Sequence, residues 1–180
     1  MQPVLALLHT APMLIEVFGA LCRKELPDVQ IYHMLDESLL KNTLAAGRLQ
    51  TATIRRVVRF AEGAAESGAA AMLVTCSTIG PAVNAARLLL DMPVVRVDEP
   101  MAEEAVRTGA RIGVAATLAS TLSPTCQLLE DTAEWMKRQV NLTPVLVKGA
   151  FDAVSAGDAE THDALIGAPL IRLAAQTAER

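Results

Sequence analysis

The 180-residue sequence predicts an α/β protein of two similar parallel-sheet lobes, residues 1–98 and 99–180. Three observations carry this prediction. Short, almost wholly apolar runs of strand length alternate with amphipathic helical stretches, as expected of strands covered on both faces. The same order of elements begins again after residue 98. With 52% apolar but only 3% aromatic residues, the core must be built from Ala, Val, Leu and Ile, which suits helices packed closely on a sheet.

The first strand is expected over Pro3 to Leu8, ended by the polar break His9-Thr10. Pro12 can open a helix to about Lys24, with Leu14, Ile15, Phe18, Leu21 and Cys22 on one face. Pro27-Asp28 turns the chain into a second strand, Val29 to Met34, and Asp36-Glu37-Ser38 reads as a polar loop. Ile54, Val57, Val58, Ala61, Ala64 and Ala65 mark the apolar stripe of a helix closed by Gly68. A third strand, Ala70 to Val74, runs into Thr75-Cys76-Ser77-Thr78, and Gly80-Pro81 opens a helix to Leu90. Pro93 to Val97 gives a fourth strand.

In the second half, Met101 to Thr108 reads as a helix stopped by Gly109, and Arg111 to Ala115 as a strand. A hydroxyl-rich loop, Thr117 to Thr121, precedes a helix over Pro124 to Arg138. Thr143 to Val147 is a strand and Ala159 to Ala178 a largely helical stretch. Pro169 sits inside that stretch, where a proline kinks a helix or costs about 3 kcal/mol. No counterpart of the strand before Cys76 follows it, so the second lobe is expected to be shortened at its C-terminal end.

Composition excludes several classes. The net charge is −4 and the sequence has no basic run, so a nucleic-acid surface is not expected. The longest uncharged stretch, Ser67 to Ala86, carries Gly, Pro, Ser, Thr and Asn, so no membrane span is expected. No Lys or Arg precedes Arg23, and His9-Thr10-Ala11-Pro12 interrupts the apolar start, unlike a signal peptide. Three cysteines without a CxxC argue against a disulfide framework and for a reducing cytoplasm. GxGxxG and GxxxxGK[ST] phosphate loops are absent.

Ligands of open parallel sheets bind outside the carboxyl ends of the strands. Four polar groups fall there: His9-Thr10, Asp36-Glu37-Ser38, Thr75 to Thr78, and Thr117 to Thr121. Cys76 follows an apolar strand and precedes a helix, where amide groups and the macrodipole favour a thiolate. The same position also suits a small buried cysteine that merely ends a strand. His9, His33 and Cys76 fit no compact ligand spacing, so no metal is expected. His162-Asp163 is explained equally well by the start of a helix at the surface.

Leu73-Val74-Thr75-Cys76-Ser77-Thr78-Ile79-Gly80-Pro81 resembles the first cysteine motif of the aspartate/glutamate/hydantoin racemase superfamily. The likeness extends through His9-Thr10, Asp36 to Leu40, Val95 to Met101, Arg111 to Thr117, Gly149-Ala150-Phe151 and Gly157-Asp158. It implies two α/β lobes with a cleft between them, and an isomerase that uses no pyridoxal, metal or nucleotide. One cysteine of such an enzyme removes a proton next to a carboxylate or carbonyl, and a second returns one to the opposite face. By this resemblance Cys76 is the first. His9, Thr10, Thr75, Ser77 and Thr78, with Thr117 and Thr121 from the facing lobe, would hold the oxygens of a small carboxylate or hydantoin-like substrate.

The second cysteine of that pattern has no match. Cys126 falls within a predicted helix and Cys22 on the first helix, and both read as packing residues. Three functions therefore compete: a cofactor-independent racemase, a single-cysteine decarboxylase or isomerase, and a noncatalytic ligand-binding relative. A sheet lacking its last strand exposes an edge, so a homo-oligomer is expected.

Overall fold

The structure, a computed structural model, describes residues 2–178. It is α/β with parallel sheets, and the chain divides into two compact units, Met1–Asp98 and Glu99–Arg180. Among the described residues no helix is long and apolar enough to cross a membrane.

The first unit contains β1 (Val4–His9), α1 (Met13–Glu25), β2 (Gln30–Leu35), α2 (Glu37–Ala46), α3 (Thr51–Glu66), β3 (Ala71–Val74), a 3-10 turn (Ser77–Ile79), α4 (Ala82–Leu89) and β4 (Val94–Arg96). Its four strands are parallel in the order β2-β1-β3-β4. The central strand β1 is buried through Ala6, Leu7, Leu8 and His9, because helices cover both of its faces. Successive side chains of a strand point to opposite faces. Ala6, Leu8, Met72 and Val74 therefore meet Val57, Ala61 and Ala64 of α3 in one apolar cluster. Leu7 and His9 point to the α1 side, where the His9 and Phe18 rings lie 5.7 Å apart.

One expectation fails here. Asp36-Glu37-Ser38 is not a loop but the start of α2, with Asp36 as its N-cap accepting from the Ser38 N–H at 3.0 Å. Asp is a favoured N-cap because its carboxylate satisfies an amide that the helix leaves open. Leu39, Leu40 and Thr43 then anchor the helix inside.

The second unit contains α5 (Glu99–Thr108), β5 (Arg111–Ala116), α6 (Ala119–Trp135), β6 (Asn141–Leu146), α7 (Ala150–Ser155) and α8 (Ala159–Ala178). Its β5 and β6 form a two-stranded parallel sheet. On one face Ile112 and Val114 pack with Ala102, Val106, Leu129 and Ala133. On the other, Leu173 of α8 sits against Gly113, where an added Cβ would come within 2.4 Å of Leu173 Cγ. Asp158 caps the start of α8 by accepting from the Thr161 N–H at 2.9 Å. The expected hydroxyl loop is shorter than its sequence suggested. Helix α6 begins at Ala119, and the Leu118 carbonyl takes the Thr121 and Leu122 N–H groups, leaving Pro124 inside the helix.

Candidate active site

The strand order places a topological switch point in the first unit. From β1 the chain passes to β2 on one side, whereas β3 and β4 lie on the other. Helical connections diverge there, and the crevice outside the carboxyl ends of the two strands flanking the switch is where such sheets bind ligands. The flanking strands are β1 and β3, paired through Leu8 and Val74. Two residues beyond that pair stand Thr10 and Cys76.

Cys76 is half-buried and is the residue before the 3-10 turn. That turn separates it from α4, which begins at Ala82, close to the start expected at Gly80-Pro81. Its immediate polar surroundings are amides and hydroxyls rather than a long helix axis. The N–H groups of Cys76 and Ser77, and the side chains of Thr10, Cys76 and Ser77, make no hydrogen bond among the described residues. A cluster of unused donors beside a thiol is suited to bind oxygens that carry negative charge.

Other expected ligands are occupied. Thr75 is 8% exposed, and its hydroxyl donates to the Leu8 carbonyl at 3.0 Å. Its Oγ1 also lies 2.8 Å from His9 Nδ1. A hydroxyl has one proton, so Thr75 has none left for a substrate. His9 is fully buried, with Nδ1 on Thr75 and Nε2 2.8 Å from His33 Nδ1. In this arrangement both ring nitrogens of His9 and the Thr75 hydroxyl proton are engaged within the protein. Burial, and then the neighbouring His33, push the His9 pKa down to about 4. Thr78 is buried and has a partner of its own. In the second unit, Thr117 follows β5 directly and is half-buried, and Thr121 lies in the first turn of α6.

The sequence reading overlooked a buried ion pair at the end of β4. Arg96 donates from Nε and Nη2 to the two Asp98 carboxylate oxygens, both at 2.9 Å. Side-chain exposure is 6% and 5%. The guanidinium lies under Gly80, whose absent Cβ would come within 2.6 Å of Arg96 Nε. It thus props the turn that follows Cys76. Opposite charges two residues apart share one face of a strand end, and that spacing was a usable signal. A second polar cluster stands at the end of β2: Arg56 of α3 pairs with Asp36 and donates to Ser38 Oγ at 2.7 Å.

The remaining cysteines lie elsewhere. Cys22 is buried on α1, and burial pushes its thiol pKa up. Cys126 is on α6, where burial and then the Glu130 charge do the same. Among the described residues no three His, Cys, Asp or Glu side chains come together as a metal-binding group.

Comparison with known proteins adds three findings. A family model described as Asp/Glu/Hydantoin racemase matches residues 12–180. Fifteen chains of solved structure match. One of them, glutamate racemase from Aquifex pyrophilus, superposes with a TM-score of 0.60 at 20% sequence identity, over 77% of this chain and 54% of that one. At that identity the likeness speaks for the fold. The chain thus spans about half the length of that racemase. No curated protein matches.

Proposed function

The chain belongs to the Asp/Glu/Hydantoin racemase family, and from that premise we propose that it is a racemase-like isomerase that moves a proton through the Cys76 thiolate. The substrate class is a small amino acid, hydantoin or related acid with an acidic hydrogen next to a carboxylate or carbonyl. The observation that carries this reading is the position of Cys76 beside the β1/β3 switch point, among donors that no other group uses among the described residues.

In this mechanism the Cα–H proton passes to Sγ while the C–H electron pair spreads onto the adjacent oxygens. Thr10 and Ser77, with the Cys76 and Ser77 amides, would hydrogen-bond that developing charge, an effect that grows as the charge forms and so lowers the barrier. No cofactor enters this scheme.

A second reading has its own support. Of the three cysteines only Cys76 follows a strand; Cys22 and Cys126 lie on helices. One thiol can protonate one face only, which fits decarboxylation or one-sided isomerisation better than racemisation. Incubating the protein in deuterated buffer with aspartate, glutamate, 5-substituted hydantoins and arylmalonates separates these readings. Deuterium at Cα with inversion supports racemisation. Deuterium with retention, or release of carbon dioxide, supports one-thiol chemistry. Absence of both, unchanged by Cys76→Ala, favours a noncatalytic ligand-binding relative.

Residence in a reducing cytoplasm accords with the free cysteines. Self-association is also part of this proposal. Leu88 and Leu89 on α4, Trp135 on α6 and Ile171 on α8 are large apolar side chains left about two-thirds exposed or more. Scattering over a concentration series that finds only monomer would remove it.

A further inference from the structure

A line of hydrogen bonds crosses the ends of three adjacent strands beneath the candidate site, from His33 on β2 through His9 on β1 to Thr75 after β3. Its polarity follows from counting protons. The Leu8 carbonyl can only accept, so the Thr75 hydroxyl proton goes to it. Thr75 Oγ1 must then accept from His9, which places the His9 proton on Nδ1. A neutral imidazole has one N–H, so His9 Nε2 is an acceptor and His33 donates to it from Nδ1. The Leu8 carbonyl also accepts the Thr75 backbone N–H at 3.0 Å. Thr75 is therefore held at three points, immediately before Cys76.

We infer that His9 is a positioning residue, which in its Nδ1–H tautomer fixes Thr75 and through it the placement of the Cys76 segment. This deepens the proposed function and rests on Cys76 being its working thiol. The surroundings favour the neutral ring: His9 is fully buried, the Phe18 ring covers it from α1, and among the described residues its ring nitrogens bond to Thr75 and His33 and not to a carboxylate. The depressed pKa agrees, since a charged imidazole would lose its acceptor at Nε2. Among the described residues His33 acts on the ring, and Arg23 of α1 lies close to His33. Arg23 Nη1 and His33 Nε2 approach the same point over Gly19, at 3.4 and 3.6 Å from it.

Two readouts test this without any substrate. Nitrogen-15 histidine spectra of the intact protein report the tautomer directly. We expect His9 to be protonated on Nδ1 from pH 6 to 9. The second readout is the pH profile of Cys76 alkylation in three variants. In His9→Asn the side-chain amide replaces Nδ1 and can still donate to Thr75; in His9→Gln it replaces Nε2 and cannot. Thr75→Val keeps the shape and removes the hydroxyl. His9→Asn should follow the unmodified protein, while His9→Gln and Thr75→Val should change the alkylation rate about fivefold, the factor expected for one hydrogen bond. An Nε2–H signature, or one profile shared by all four proteins, overturns the inference. If the glutamine and valine variants fail to fold, the tautomer of the unmodified protein still decides. Should the substrate panel show no exchange while both readouts hold, the isomerase reading falls and the positioning role stands.

Discussion

Replacing Gly80 by alanine puts three physical effects in opposition. The backbone there is right-handed helical (φ −48°, ψ −43°), so alanine fits without strain and contributes up to about 1 kcal/mol through lost chain entropy in the unfolded state. Against this, the new Cβ would stand 2.6, 2.7 and 2.8 Å from three atoms of the Arg96 guanidinium. Ordinary contact begins near 3.4 Å, so the group must retreat by 0.6–0.8 Å. It is buried and clamped to Asp98 by two 2.9 Å bonds. Overpacking of this kind costs about 1–3 kcal/mol, and weakening one charge-assisted bond about 1.5–3 more. The balance is a loss of about 1.5–6 kcal/mol. Urea unfolding followed by far-ultraviolet circular dichroism measures it. In an Arg96→Leu background the same substitution should be neutral or stabilising, since the obstructing group is gone. A Gly80→Ala protein that unfolds at the same or higher urea than the parent would refute the prop assigned to Arg96.

Three more outcomes follow from the same structure. Iodoacetamide should label Cys76 about tenfold faster than Cys22 and Cys126 near neutral pH, because burial raises both of the latter thiols and depletes their reactive thiolate; timed peptide mapping checks this. Stability should fall with acid through the His9 window: above pH 6.5 the ring is neutral folded and unfolded, whereas below it the unfolded chain binds a proton that the fold refuses until about pH 4. The loss is roughly 3 kcal/mol, and in His9→Asn that part of the pH slope should vanish. Tyr32 Oη is buried without a hydrogen-bond partner among the described residues, so Tyr32→Phe should raise the melting temperature or leave it unchanged, a gain of up to about 1 kcal/mol.

What the sequence made legible was whatever depends on near neighbours. The apolar runs of β1 and β3 and the stripe of α3 are local patterns, and each appears within two or three residues of its predicted bounds. Helix α2 escaped because Asp36 and Ser38 are as common in turns as at helix starts, and its buried stripe is short. The start of α6 escaped because Pro124 looks like a first helical residue, whereas the Leu118 carbonyl closes a turn upstream of it. The hydrogen bonds that join the candidate residues could not be read from local patterns. His9 and Thr75 are 66 positions apart, and only the pairing of β1 with β3 turns two candidate ligands into each other's partners.

Helix α8 has a further consequence. Of its residues with described side chains, only Leu173 is buried, and it fills the space that Gly113 leaves open on β5. Pro169 also lacks the amide needed for one rung of the helix. A twenty-residue helix with a single deep anchor and an interrupted ladder has little cooperative hold on its sheet. Its amides therefore exchange with solvent through a local opening that leaves the β5–β6 pair intact, and the size of the residue at 113 sets how often that opening occurs.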